Sequence, residues 1–303
     1  MGVRDTIAKK LAGIKAYHSS PHDFDRFDLK KVGTGEGAQV YGHGLYFAEN
    51  PAVSGQGGQY WNQFLNRFEG TPEGNAAKRL RDAGFDRDKA VADYEAYLLE
   101  HATRKRSPEA MASAQRLYEA QMAKKIPELE LLRGGAPVGP RTYEVNINAD
   151  PAQMLDWDKP LPAQSPNVWK ALRENDLGDV VPEGRNASEL VQSMQRAMGK
   201  ERPSQIFGDL GIPGIKYLDE GSRNLSDKIA FLQHRIDTAA TPVAESIYRG
   251  QIQKLQGRSP TSNYVVFDPS TIDILKKYGV VGAPAGALGM GALADQSQYE
   301  VQP

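Results

Sequence analysis

Two short segments decide the fold: AYHSS at residues 16–20 and YGHGLYFAEN at residues 41–50. The first has the composition of a strand, Ile14–His18, that leads into polar Ser19-Ser20. The second contains another short strand, Leu45–Ala48, which Asn50-Pro51 ends. Histidine, tyrosine and glycine are concentrated here, so the residues best suited to binding a small molecule lie in or beside two predicted strands.

The rest of the chain adds further strands and long helical segments. The alternation of apolar and polar residues over Arg141–Ala149 is the clearest strand signal. Shorter strands are predicted at 215–218 and 263–267, and helices within 61–140 and 225–258. No Gly-x-Gly-x-x-Gly follows a predicted strand and opens a helix, and no phosphate-binding Gly-Lys-Ser/Thr loop occurs. These features favour an α+β fold with a largely antiparallel sheet.

The composition excludes several classes of function. The 303 residues include 37 Lys and Arg, 38 Asp and Glu, and no cysteine. The near-zero net charge supplies no general attraction to nucleic acid or membranes. The absence of cysteine excludes disulfides, thiolate metal sites and a cysteine nucleophile, and five scattered histidines predict no metal site. No signal peptide is evident, and the uncharged run 280–294 is too short to span a bilayer, so a cytoplasmic protein is expected.

Three segments resemble, in this order, the signature strands of ADP-ribosyltransferases: HSS at 18–20, GHGLYFA at 42–48 and NYVVFD at 263–268. The similarity is to the branch related to diphtheria toxin and the poly(ADP-ribose) polymerases. The segments YHSSPHDFD at 17–25 and GIKYLD at 214–219 look closer still to ADP-ribosyltransferase-like domains of phage and mobile-element polyvalent proteins.

The resemblance implies a domain plan. An N-terminal helix over 1–13 would precede an ADP-ribosyltransferase-like domain over 14–277, whose core is a split antiparallel sheet. The segments at about 61–140 and 225–258 would be helical insertions into that domain. Residues 278–303 would form a flexible tail rich in Gly and Ala.

The resemblance also assigns roles in binding NAD⁺, which would be the substrate. His18 would hydrogen-bond the adenine-side ribose, Tyr46 would pack on the nicotinamide, and Ser54 would hold its carboxamide. Ser19 replaces a glycine whose backbone binds the carboxamide, and Tyr60 is the candidate for a second stacking tyrosine. Strand alternation places Phe47 on the face opposite Tyr46, as a core residue. The full cofactor-binding set is His18, Ser19, Ser20, Gly44, Tyr46, Phe47, Ser54 and Tyr60.

The third segment departs from the family, because Asn263 stands where the family has a glutamate. Asparagine accepts a hydrogen bond through its carbonyl but carries no charge and cannot act as a general base. Glu144 and Glu220 are candidate substitutes, the alternative for each being a solvated surface carboxylate. The catalytic candidates are therefore His18, Tyr46, Asn263 and Glu144.

The function implied is mono-ADP-ribosylation of a macromolecule by a phage or mobile-element effector, in the bacterial cytoplasm. Three alternatives stay open: a non-catalytic module that binds NAD or ADP-ribose, an NAD glycohydrolase toxin, and a structural virion protein. A protein acceptor is favoured over nucleic acid because no basic cleft is evident. The acceptor's identity, the oligomeric state and membership of a larger polyprotein stay open.

Overall fold

The computed structural model describes residues 13–32, 39–103, 123, 125–135, 138–179, 182, 184–257 and 259–278. Apart from Gly13 and Tyr278, the predicted N-terminal helix over 1–13 and the predicted tail over 278–303 lie outside the described residues. The boundaries of the domain over 14–277 stay a prediction.

A mixed sheet contains the seven described strands, in the order β4-β5-β6-β2-β1-β3-β7. Strand β4 is parallel to β5, whereas the β5–β6 and β6–β2 pairs are antiparallel. The α+β class predicted from the sequence is confirmed. The strands are β1 Ile14–Ser20, β2 Leu45–Ala48, β3 Arg141–Ile147, β4 Leu155–Asp156, β5 Gly214–Leu218, β6 Ser262–Val266 and β7 Ile272–Tyr278.

Helices lie in the described parts of both segments that were predicted to be helical, 61–140 and 225–258, and also between β4 and β5. Two of them begin in the same way: Thr71 and Thr241 accept a backbone hydrogen bond through the side chain, and a proline follows each. This is a stable start, because proline lacks the N–H that the first turn cannot pair. The helices whose bounds the described residues give are α1 Pro51–Ser54, α2 Gln59–Leu65, α3 Pro72–Asp82, α4 Arg87–Thr103, α5 Pro166–Glu174, α6 Ala187–Met198, α7 Glu201–Asp209, α8 Glu220–Arg223, α9 Leu225–Asp237 and α10 Pro242–Gln256.

No helix among the described residues is long and apolar enough to cross a membrane.

The chain divides into two compact units, of which the first consists of the described parts of 1–16, 27–50 and 147–273. It contains β2, β4, β5 and β6. Its core joins these strands to helices α5, α6 and α7, because the apolar face of each helix is buried against the sheet. The fully buried members of this core include Leu155, Leu172, Leu190, Phe207, Ile212, Ile215 and Val265.

The second unit consists of the described parts of 17–26, 51–146 and 274–303, and its helical part has a separate core. The buried members include Trp61, Leu65, Leu80, Tyr94 and Leu132. A charged group is also buried there: the carboxylate of Glu128 accepts hydrogen bonds from Asn75 at 2.6 Å and from the Tyr94 hydroxyl at 2.7 Å. Arg79 Nε lies 3.3 Å from the same carboxylate, and burial of a charge is tolerated when it is paired and hydrogen-bonded in this way.

Candidate active site

Tyr46 and Asn263 lie on one face of the sheet in the first unit. In the antiparallel β2–β6 pair, Ala48 is opposite Asn263 and Tyr46 is opposite Val265. Directly opposed residues point to the same face, and residues two apart along a strand do so as well. The second and third sequence motifs are therefore brought together within this unit.

Asn263 carries the most informative feature of this face. The residue is 9% exposed, and its Oδ1 is buried with no hydrogen-bond partner among the described residues. An unpaired buried acceptor costs on the order of 1–3 kcal/mol. The oxygen is thus able to accept a hydrogen bond that the described part of the chain does not supply.

Tyr46 is half-buried, and backbone geometry holds its hydroxyl. The hydroxyl donates to the carbonyl oxygen of Gly42 at 2.7 Å, and Gly42 has a φ of +132°, which favours glycine. Gly44 allows close approach of β2 to β6, because a Cβ there would lie 2.7 Å from the carbonyl oxygen of Val266. Both positions of the motif therefore require glycine for a structural reason.

Phe47 faces away from Tyr46, as strand alternation predicts. It is 2% exposed, and its ring centroid lies 5.0 Å from that of Phe27 in an edge-to-face contact. Phe47 was included in the NAD⁺-binding set. In the structure it is a core residue that packs on another side chain of the first unit.

An aromatic stack lies beside Asn263 on the same face, and sequence patterns had not indicated it. Tyr217 on β5 is directly opposite Asn263, and the ring of Tyr41 stacks on Tyr217 with centroids 3.7 Å apart. Arg223 donates to the Tyr41 hydroxyl at 3.0 Å and to the Asp158 carboxylate at 3.0 Å. Since long stretches of sequence separate these residues, no local pattern could have revealed the cluster.

The opposite face of β6 uses a carboxylate for a structural purpose. Glu49 accepts from the backbone N–H of Ser262 at 2.9 Å and lies 3.5 Å from the Tyr264 hydroxyl. Burial, together with the negative charge of Glu49, raises the pKa of Tyr264 to about 12. Tyr264 is opposite Phe47, so this carboxylate serves the face away from Asn263.

A second carboxylate ties the end of β5 to the start of β6. Burial alone would raise the pKa of Asp219, but hydrogen bonds from the Thr261 hydroxyl and from Ser222 lower it. The neighbouring Glu220, a candidate substitute for the missing glutamate, is exposed in the first turn of α8. Asp219 therefore has a structural role, and the exposure of Glu220 agrees with the solvated alternative.

The second unit brings together the two serines assigned to the carboxamide. The backbone N–H of Ser19 donates to Ser54 Oγ at 3.1 Å, and Ser19 Oγ donates to the Ser54 carbonyl at 2.9 Å. Both residues are buried. Ser20 has a local role, because its Oγ accepts from the backbone N–H of His22 at 3.1 Å.

His18 lies in an aromatic environment of the same unit. Its ring centroid is 6.3 Å from those of Phe24 and of Tyr143, which stack on each other at 4.1 Å. The residue is half-buried. Tyr60, the candidate second stacking residue, lies at the start of α2 and is 44% exposed.

For Glu144 the structure corrects the surface-carboxylate interpretation, because the residue is only 7% exposed and accepts a hydrogen bond from the Tyr278 hydroxyl. Thr142 and Val145 beside it are buried as well. Alternation separates the two faces of a strand but does not reveal whether side chains from other elements cover the polar face.

One open depression of about 570 Å³ lies in the helical part of the second unit. Its lining is Thr71, Pro72, Glu73, Pro127, Glu130 and Leu131. None of these is a site residue predicted from the sequence, and no buried polar group is left unpaired among them. Among the described residues, no group of three or more His, Asp or Glu side chains is placed to hold a metal ion.

Comparison of the chain with protein families, with characterised proteins and with solved structures found no match.

Proposed function

We propose that this chain is an NAD⁺-dependent mono-ADP-ribosyltransferase with an ADP-ribosyltransferase-like fold. The observation that carries the proposal is Asn263: its buried Oδ1 lacks a partner among the described residues, at the position of the third family motif and on the face of Tyr46. The proximity of Ser19 and Ser54 supports it, because the resemblance assigns both residues to one carboxamide, although the N–H of Ser19 itself donates to Ser54 Oγ.

The proposed reaction breaks the bond between nicotinamide and C1′ of the ribose. Nicotinamide leaves with the bonding electron pair, positive charge develops on the sugar, and a nucleophile of the acceptor then forms a bond to C1′. Tyr46 would hold the nicotinamide ring flat, and His18 would anchor the adenine-side ribose. These contacts favour the transition state by fixing its geometry.

Asn263 would accept a hydrogen bond from a hydroxyl of the reacting ribose. A carbonyl oxygen stabilises the positively charged sugar less than a carboxylate does, and it does not remove a proton from the acceptor. The acceptor's proton is therefore lost to the solvent or to a base of the acceptor itself. This arrangement favours transfer of a single ADP-ribose over chain elongation. Glu144, which is buried against Tyr278, is a further carboxylate whose substitution should be tested.

Labelled NAD⁺ incubated with bacterial extract tests the proposal. We expect label on macromolecules and release of nicotinamide with the wild-type chain, and loss of both in His18→Ala and Tyr46→Ala. Phe231→Ala is the matched control, because this exposed residue of α9 is 63% accessible. Absence of both transferred label and free nicotinamide from the wild-type reaction would contradict the proposal.

A second candidate is a non-catalytic NAD- or ADP-ribose-binding module, favoured by the missing carboxylate at Asn263. Calorimetry would then detect NAD⁺ binding without turnover, and Asn263→Glu would gain activity if the chain is a decayed enzyme. Release of free ADP-ribose without labelled acceptor would instead indicate an NAD glycohydrolase. In each case we propose a cytoplasmic effector of a phage or mobile element, with a protein acceptor for the transferase.

A further inference from the structure

A tight glycine loop follows the Ser54 that contacts Ser19. The N–H of Gly55 donates to the carbonyl of Pro51 at 2.7 Å, and the N–H of Gly58 donates to the carbonyl of Gly55 at 2.9 Å. Gly57 has a φ of +72°. A Cβ on Gly58 would lie 2.6 Å from the Pro51 carbonyl oxygen, so a larger residue does not fit there.

Side chains of the same unit hold this loop in place. Asn62 donates to the carbonyls of Gly57 and Gly58 at 2.6 and 2.9 Å, and Arg81 donates to Asn62 Oδ1 at 2.9 Å. A Cβ on Gly57 would lie 3.0 Å from the ring of Phe85. The loop is therefore fixed both by hydrogen bonds and by packing.

This fixed loop carries Gln56, whose side-chain amide is not satisfied. The Nε2 atom is buried and has no hydrogen-bond partner in the part of the chain that the structure describes. A glutamine side chain is long and flexible, and an unpaired amide usually turns towards water. Its burial here, two residues after Ser54, indicates that an acceptor is missing from this place.

Because Ser19 and Ser54 contact each other, a nicotinamide carboxamide bound beside them would lack the donor that the resemblance assigns to it. The backbone N–H that the resemblance assigns to the carboxamide is already engaged with Ser54 Oγ. We infer that Gln56 determines specificity at this site, by donating a hydrogen bond from Nε2 to the carboxamide oxygen of the nicotinamide of NAD⁺. The inference rests on the proposed function and adds a residue that the family motifs do not contain.

A cycle of two proteins and two ligands tests this contact on the full chain. Calorimetry would compare NAD⁺ with pyridine adenine dinucleotide, which lacks the carboxamide, for wild type and Gln56→Leu. We expect the preference for NAD⁺ to fall by about tenfold in the variant, the ratio that corresponds to one lost hydrogen bond. If Gln56 only maintained the structure of the loop, Gln56→Leu would weaken the binding of both ligands by the same factor.

Two further variants complete the test. Gln63→Leu, which changes an exposed glutamine of α2, should keep the wild-type preference. Gln56→Glu keeps the size of the side chain but cannot donate when ionised, so it should lose the preference even if Gln56→Leu fails to fold. Unchanged preference in a folded Gln56 variant overturns this inference alone, whereas failure of the wild-type chain to bind NAD⁺ overturns the proposed function as well.

Discussion

Asn263 combines two properties that seldom occur together in a folded protein: it is buried, and its carbonyl oxygen has no hydrogen-bond partner among the described residues. Neighbouring strands fix its position, with Ala48 on one side and Tyr217 on the other. An unsatisfied group in such a rigid place destabilises the free protein and is suited to binding a ligand. At the residue scale, stability and the proposed ribose-binding role therefore make opposite demands on this position.

The substitution Asn263→Leu should separate these demands. Removing an unpaired acceptor should leave the free energy of unfolding unchanged or raise it by about 1 kcal/mol, while NAD⁺ cleavage falls by about tenfold or more. Asn75→Leu is the control, because Asn75 donates to the buried Glu128 carboxylate and its loss should lower stability by about 1–2 kcal/mol. Urea unfolding and nicotinamide release measure the two effects; a large stability loss in Asn263→Leu would show that the oxygen is paired in solution.

Tyr264 should make the stability of the chain depend on pH in the alkaline range. Burial, then the charge of Glu49, raises its pKa from 10.0 to about 12 in the folded state. Because the pKa is raised in the folded state, the contribution of Tyr264 to the free energy of unfolding is complete below pH 10. It is lost as the pH rises towards about 12, by roughly 2–3 kcal/mol.

The test of this prediction is the difference between wild type and Tyr264→Phe. Urea unfolding between pH 9 and about 12 should show the smaller alkaline loss in the variant. Phe231→Ala serves as the control, because this 63% exposed side chain carries no titratable group and its removal should leave the wild-type slope intact. Parallel curves for wild type and Tyr264→Phe would contradict the assignment.

At the scale of elements, the β2–β6 pair is the part of the sheet that sets Tyr46 beside Asn263. Its register depends on close approach of the two strands at Gly44, where a Cβ would lie 2.7 Å from both Val265 Cγ1 and the Val266 carbonyl oxygen. Backbone cannot move aside as a flexible side chain can. The glycine in this motif is therefore required by strand pairing before any ligand is considered.

We expect Gly44→Ala to destabilise the chain by about 2 kcal/mol or more, through displacement of β2 from β6. Gly250→Ala should have the opposite effect, because Gly250 lies inside α10 with no atom near its missing Cβ, and alanine favours a helix by about 1 kcal/mol. Thermal unfolding of both variants measures the contrast. Equal effects of the two substitutions would show that the strands have room to separate.

At the scale of the whole molecule, charge bears on the choice of acceptor. The sequence has 37 basic and 38 acidic residues, so no net positive charge draws a polyanion to the chain. Several basic side chains are moreover paired with acids, as Lys216 is with Asp156 and Arg223 is with Asp158. A protein acceptor is the expectation that follows.

Label transferred from NAD⁺ in a bacterial extract should accordingly be sensitive to protease and resistant to nuclease. Raising the salt concentration should change the rate of labelling by less than about twofold, because no set of phosphate contacts is broken. An unrelated basic protein added in excess provides a control for non-specific labelling. Loss of the label on nuclease treatment would assign the acceptor to nucleic acid.

Local pattern was sufficient to predict several elements. The strand Leu45–Ala48 was predicted with its observed bounds, and the strands at 215–218 and 263–267 were predicted within one residue of theirs. The helical segments 61–140 and 225–258 contain helices as expected. Short-range sequence sufficed here because glycine, proline and apolar periodicity act on neighbouring residues.

The site was accessible to sequence only in part. The candidates His18, Tyr46 and Asn263 came from motifs, and Ser54 came from its spacing after Tyr46. The structure adds that Ser19 and Ser54 are hydrogen-bonded to each other. Tyr41 and Tyr217 lie in the separate segments 41–50 and 214–219, so no local pattern shows that they stack. The sequence also carries no signal that Gln56 Nε2 lacks a partner among the described residues. Side chains distant along the chain meet only through the pairing of strands and the course of loops.

The sequence by itself determined the residue types of the three motifs, most strand positions and the near-zero charge. Only the tertiary structure decided that Glu144 is buried against Tyr278 and that the Asn263 oxygen is buried without a partner among the described residues. The physical reason is the same in both cases. Burial and hydrogen bonding depend on what other strands bring to a residue, whereas strand formation depends mainly on its immediate neighbours.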